Sequence, residues 1–147
     1  ELQRPPLHPA VDLRVSVQAV DGPGEAFAAG GAPVRPLLGE PWLEERLLHL
    51  TFRVSPAAFF QVNIGAAERL CELLRRQCDV GPDTILLDVC CGTGTIGLTM
   101  ASAVKRVIGI EICAEAVTDA KANAALNGIS NASFIASKAE EATRRGL

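Results

Sequence analysis

The sequence predicts an α/β fold: the opening half of a doubly wound parallel-sheet domain, truncated, with a partial β-rich element in front of it. Three observations predict it. Before Pro56 apolar residues recur with period two; after it, helix-spaced and strand-like clusters alternate up to Phe134. Strand, helix, strand, helix, strand in that order means right-handed βαβ units around a parallel sheet. A glycine-rich loop follows the first of those strands, where open α/β sheets bind ligands.

Val11, Leu13, Val15, Val17 and Ala19 alternate with Asp12, Arg14, Ser16 and Gln18, the pattern of a strand with one buried face. Nine glycines and prolines between Asp21 and Pro41 then read as a loop or long hairpin connection. Leu48, Leu50, Phe52 and Val54 point one way in a second strand, expected to pair antiparallel with the first. Residues 1–55 form the β-rich element and residues 56–147 the α/β part.

Asn63 can cap a helix on which Ala67, Leu70, Cys71, Leu74 and Cys78 share one face. Both cysteines are thereby read as small core residues. Gly81-Pro82-Asp83 ends the helix. The run from Thr84 to Val89 predicts a strand buried on both faces. A short helix through Ile96, Leu98, Met100 and Ala101 follows the glycine-rich loop. Val107-Ile108-Gly109-Ile110 gives a second buried strand, ending in Glu111. The helix from Ala114 to Leu126 closes at Asn127-Gly128, with Gly128 in the left-handed position and Ile129 as its apolar contact. Ser133-Phe134-Ile135 is a third strand.

Composition narrows the function classes. A chain of 147 residues, 48% hydrophobic and 21% charged, suits one compact domain. Its apolar runs fall well short of the roughly 20 residues of a membrane span, and no secretory leader is expected after Glu1. The compartment stays open between mitochondrial matrix and cytosol or nucleus. Net charge is −3; Arg75-Arg76, Lys105-Arg106 and Arg144-Arg145 are scattered and read as solvated helix ends, not as the basic patch of a nucleic-acid binder. Five cysteines with no C-x-x-C spacing and two distant histidines predict reduced thiols and no metal site.

The informative segment runs Asp88-Val89-Cys90-Cys91-Gly92-Thr93-Gly94-Thr95-Ile96-Gly97. Glu111 closes the neighbouring strand, so its carboxylate projects into the same crevice and can accept both hydroxyls of a ribose. Gly92, Gly94 and Gly97 spell a dinucleotide fingerprint with an acid 19 residues after the first glycine (111 − 92). Asp88 argues against it. That acid repels a pyrophosphate at the helix N-terminus and attracts the ammonium and sulfonium of S-adenosylmethionine. Cys90 and Cys91 read as small side chains lining the pocket.

With this loop, the block from Phe52 to Asn63 (Phe-Arg-Val-Ser-Pro-Ala-Ala-Phe-Phe-Gln-Val-Asn) and Val107 to Glu111, followed by Glu115-Ala116-Val117 and Asn123, the chain resembles the RNA uracil-5-methyltransferase family. The resemblance spans roughly residues 48–141. It implies a Rossmann-like class I S-adenosylmethionine-dependent methyltransferase fold, of which residues 56–147 are the N-terminal half. It also implies S-adenosylmethionine as cofactor and methylation of uridine C5 in the tRNA T-loop, with ribosomal RNA the substrate of a mitochondrial form.

By position, Gln61 corresponds to the family glutamine at the methionine end of the cofactor. Cys90 stands where an aromatic is usual, Thr95 is a polar contact, and Glu111 is the ribose ligand. Lys138 or Ala139 falls where the family lines the adenine. The cofactor set is thus Gln61, Asp88, Cys90, Gly92, Gly94, Thr95 and Glu111. The family's nucleophilic Cys and its Glu base lie in motifs further downstream, so no catalytic residue is assigned and the chain is expected to be catalytically incomplete. A monomer with no membrane partner is expected, reaching tRNA mostly through regions outside this chain. An inactive truncated isoform and an NAD-dependent oxidoreductase domain are the alternatives.

Overall fold

The computed structural model describes residues 15–17, 35–56 and 58–144. Three sheets are formed among them. β1 (Val15–Val17) pairs antiparallel with β2 (Arg35–Leu38). β3 (Leu43–Leu47) and β4 (Leu50–Val54) form a hairpin. β5 (Ile85–Val89), β6 (Arg106–Glu111) and β7 (Ala132–Ala136) form a parallel sheet in the order β5-β6-β7. The remainder of the first expected strand, Val11 to Arg14 and Gln18 to Ala19, lies outside the described residues.

The β-rich element is paired differently from the expectation. The stretch read as a loop contains β2, and the partner of β4 is β3 rather than the first strand. Leu48, assigned to the second strand, sits in the hairpin turn with φ of 55°. Proximity explains the outcome: two consecutive strands joined by Leu48-His49 close a hairpin at little loop-closure cost. Glu44, Glu45 and Arg46 hide β3 from a period-two reading, because that strand is exposed until Leu47.

The helices follow their capping chemistry. Asn63 Oδ1 accepts the Ala66 N–H at 3.0 Å and opens α1 (Ile64–Gln77). Ala67 and Cys71 are buried on it, whereas Leu70 is 43% exposed. Cys78, read as a core residue, is exposed at the C-cap, where the helix has already ended. α2 (Thr95–Met100) is continued by one 3₁₀ turn over Ala101–Ala103. α3 (Ala114–Leu126) ends as its sequence requires: Gly128 has φ of 65°, its N–H bonds the Ala125 carbonyl, and the Ile129 N–H bonds that of Ala124. A short α4 (Ala139–Arg144) follows β7 and rests on β6.

One core joins hairpin, helices and sheet: Leu47, Leu50 and Phe52 pack with Cys71, Leu98, Val117 and Phe134. α2 and α3 cover the sheet face that carries Val107 and Phe134. The expectation that β5 is buried on both faces fails. Ile85, Leu87 and Val89 are 61, 44 and 46% exposed, because β5 is an edge strand and no helix among the described residues covers its second face.

Candidate functional site

The glycine-rich loop leaves the C-terminal end of β5 through two left-handed residues, Cys90 with φ of 62° and Gly92 with φ of 54°. Cys90 is uncommon in holding that conformation with a Cβ. Gly94, φ of 82°, starts α2; a Cβ there would lie 3.1 Å from the Phe134 ring. Gly97 is needed for contact as well, since a Cβ would meet Val107 at 2.8 Å and Asp88 Oδ2 at 3.0 Å.

Two carboxylates shape the loop. Asp88 Oδ2 accepts the Gly97 N–H at 2.9 Å, so the acid at the strand end holds an amide of the first turn of α2. Burial pushes the Asp88 carboxyl above its ordinary range; the Gly97 amide pulls the other way and nearby Glu111 adds to the rise. Glu111 Oε2 accepts the Gly92 N–H and Oε1 the Cys113 N–H, both at 3.0 Å. The end of β6 is thus tied to the loop after β5.

A cavity of about 150 Å³ opens between this loop and the segment that joins β4 to α1. Five of the seven residues assigned to a cofactor line it: Gln61, Asp88, Cys90, Gly92 and Thr95. Glu111 stands beside it through its bond to Gly92. Gly94 does not face it, being buried against Phe134. Lys138 lies past the end of β7, and its carbonyl accepts the Glu141 and Ala142 amides of α4.

Sequence reasoning missed Phe59, Phe60, Leu70, Cys71 and Ile96 in the wall. The Phe59-Phe60 pair next to Gln61 was the available signal; in the structure Phe59 is 75% exposed and Phe60 half-buried. Phe60 and Gln61 also line a larger cavity of about 530 Å³, together with Trp42, Val54, Pro56, Glu40 and Glu45.

Three of the five thiols are not poised as nucleophiles. Burial, with Asp88 and Glu111 nearby, pushes Cys91 up to about 12; burial also raises Cys71 and Cys113. Each keeps its proton at neutral pH, and the thiolate is the reactive form. Among the described residues no group of three metal-ligating side chains occurs, and no helix is long and apolar enough to cross a membrane.

Fold and loop together define a Rossmann-like methyltransferase domain, and a family model described as a methyltransferase domain matches residues 81–145. The chain is similar in sequence to proteins named tRNA (uracil-5-)-methyltransferase homologues. It is 50% identical over 111 residues to the human tRNA (uracil-5-)-methyltransferase homolog A, which covers 76% of this chain and 18% of the relative. It is also 55% identical over 105 residues to the zinc finger CCCH domain-containing protein 24 of Arabidopsis thaliana, covering 71% of this chain and 13% of that protein. The chain therefore spans less than a fifth of the length of these two relatives. Among solved structures it resembles the Pyrococcus abyssi tRNA (uracil-54, C5)-methyltransferase in complex with S-adenosyl-L-homocysteine. That match has a TM-score of 0.61 and 26% identity, covering 71% of this chain and 26% of the other.

Proposed function

We propose that this chain binds S-adenosylmethionine in the 150 Å³ cavity and along Glu111, as the cofactor-binding half of an enzyme that methylates uridine C5 in the T-loop of tRNA. The observation that carries the reading is the convergence of Gln61, Asp88, Cys90, Gly92 and Thr95 on one cavity, with Glu111 tethered to its rim.

The residues fit that ligand. A carboxylate offers about four lone-pair positions; Gly92 and Cys113 use two of those on Glu111, leaving room for ribose hydroxyls. The cavity is about half the lower end of the roughly 300–1,000 Å³ usual for small-molecule sites, so it takes one end of the ligand. Its acid, Asp88, suits an ammonium, and Phe59, Phe60 and Ile96 suit the apolar chain beside it. When bound, S-adenosylmethionine supplies a methyl group on a sulfonium. The chain's own residues hold and orient it. Asp88 also speaks against a dinucleotide, because its carboxylate already occupies the α2 amide that a pyrophosphate would need.

The identity to a protein named as a tRNA (uracil-5-)-methyltransferase homologue supports a uridine of tRNA as substrate. Methylating C5 needs a nucleophile at C6 and a base for the C5 proton. Burial holds Cys71, Cys91 and Cys113 in the thiol form, which suits them poorly to the first role; following the family pattern, the catalytic pair is assigned to parts of the enzyme outside this chain.

Calorimetric titration with S-adenosylmethionine, NAD serving as the comparison ligand, tests the cofactor. Binding of the methyl donor alone, weakened tenfold or more in Glu111→Ala, is expected; binding of NAD instead would overturn the reading. For the reaction, the longer protein carrying this chain should release tritium from tRNA labelled at uridine C5, while the chain alone should release none. Turnover by the chain alone would remove the claim that its catalytic groups lie elsewhere.

A further inference from the structure

β4 has two edges, and among the described residues only one of them meets a strand. β3 takes the first. Along the second, α3 presents Asp119, Asn123 and Asn127, four residues apart, to Ser55, Arg53 and Thr51, two residues apart. Asn127 accepts the Thr51 N–H at 3.0 Å and donates to the Thr51 carbonyl at 2.7 Å. Asn123 does the same on Arg53, at 2.7 and 3.1 Å. Asp119 accepts the Ser55 N–H at 3.0 Å and the Ser55 hydroxyl at 2.8 Å.

The register has a geometric cause. Four residues of an α-helix rise about 6 Å and two residues of a strand advance about 6.7 Å, so every fourth helical side chain meets every second strand residue. A carboxamide sets a donor beside an acceptor, as a strand residue does toward its antiparallel neighbour. Three side chains thus take the place of a neighbouring strand.

Asn123 does more than hold that edge. It is fully buried, and its Nδ2 also donates to the Thr93 carbonyl of the glycine-rich loop at 3.2 Å. β4 runs on through Ser55 to Phe60 and Gln61, one wall of the cavity; Thr93 belongs to the other. A single carboxamide therefore bridges the elements that carry both walls. Among the described residues the Asn127 side chain, at the far end, bonds Thr51 and its own helix at the Asn123 carbonyl, 2.8 Å away.

We propose that Asn123, supported by Asp119, is a positioning residue that sets the spacing of the two cavity walls and through it the affinity for cofactor, an inference that rests on the cofactor reading above. Asn127 serves the stability of the hairpin alone.

The test uses Asn123→Ala, Asn127→Ala and Asp119→Asn in the full chain. Three quantities are read: melting temperature, calorimetric Kd for S-adenosylhomocysteine, and ligand-free hydrogen exchange of residues 58–61 and 90–95. Asn123→Ala should raise Kd about tenfold, from the buried partners it strands, and speed exchange in both segments. Asn127→Ala should lower the melting temperature but leave Kd within about twofold and speed exchange only around the hairpin turn. Asp119→Asn, which keeps an acceptor for the Ser55 N–H, should stay within about threefold of wild type.

If Asn123→Ala fails to fold, the isosteric Asn123→Asp removes the same two donors and should move Kd and exchange in the same direction. Equal losses of melting temperature in the Asn123 and Asn127 variants, with Kd and wall exchange unchanged, would overturn the proposal. A wild-type chain that does not bind the probe would sink the cofactor reading instead, and the exchange pattern would then decide the positioning role by itself.

Discussion

Two residues in contact with the loop show how narrowly it is built. A Cβ on Gly109 would lie 2.4 Å from Phe134 and 2.8 Å from Cys91 Sγ, both buried groups that cannot swing away. Gly109→Ala should therefore cost about 1–3 kcal/mol, the usual toll of overpacking, and thermal unfolding would show it. Asp88 is the opposite case, a group whose charge is disfavoured by its place. Because burial raises its carboxyl above the ordinary value of 3.8, the folded state holds that proton more tightly than the unfolded chain. Its contribution to stability is full below 3.8 and is lost as pH rises through the folded value. Asp88→Asn, which keeps an acceptor for Gly97, should melt higher than wild type at pH 7, with the difference shrinking as the pH falls toward 3.8. A difference independent of pH would mean the carboxyl is not held above its ordinary range. The same variant should bind the cationic methyl donor less well, separating what Asp88 does for the fold from what it does for the ligand.

At the scale of elements, caps and glycines made much of the chain readable. The bounds of α3 follow from Asn127-Gly128-Ile129, and nothing crowds the Gly128 position within 4 Å. Gly128→Ala should consequently cost only the left-handed backbone penalty of about 1–2 kcal/mol. The melting temperature should drop a few degrees while cofactor affinity stays unchanged. Asn63, the glycine-rich loop and Glu111 were legible for the same reason: their chemistry is local. β3 was not, because Glu44, Glu45 and Arg46 face solvent and leave no alternating pattern. The exposed cysteine at position 78 shows the limit of helical periodicity, which continues on paper past the residue where Cys78 turns out of the helix. Gln61 gained its meaning only from the family pattern, and the Asn123 bridge needed the three-dimensional register of α3 against β4.

Taken whole, the molecule is asymmetric about its parallel sheet. α2 and α3 cover one face, while Ile85, Leu87 and Val89 on edge strand β5 remain exposed on the other. Exposed apolar side chains on an edge strand favour self-association. Leu87→Thr should lower light scattering of concentrated chain and shift the melting temperature by no more than a surface substitution does; a loss typical of a core truncation would mean that the face is covered in solution. The central claim, that the glycine-rich loop, Gln61 and Glu111 make one cofactor site, is tested most directly by amide chemical-shift mapping during titration with S-adenosylhomocysteine. The account expects the largest changes at Gln61, Gly92, Thr95 and Glu111, with Lys105, Arg106 and Asn131 at the opposite end of the sheet unmoved. Changes centred on that opposite end, or none at Gly92 and Glu111 at saturating ligand, would contradict it.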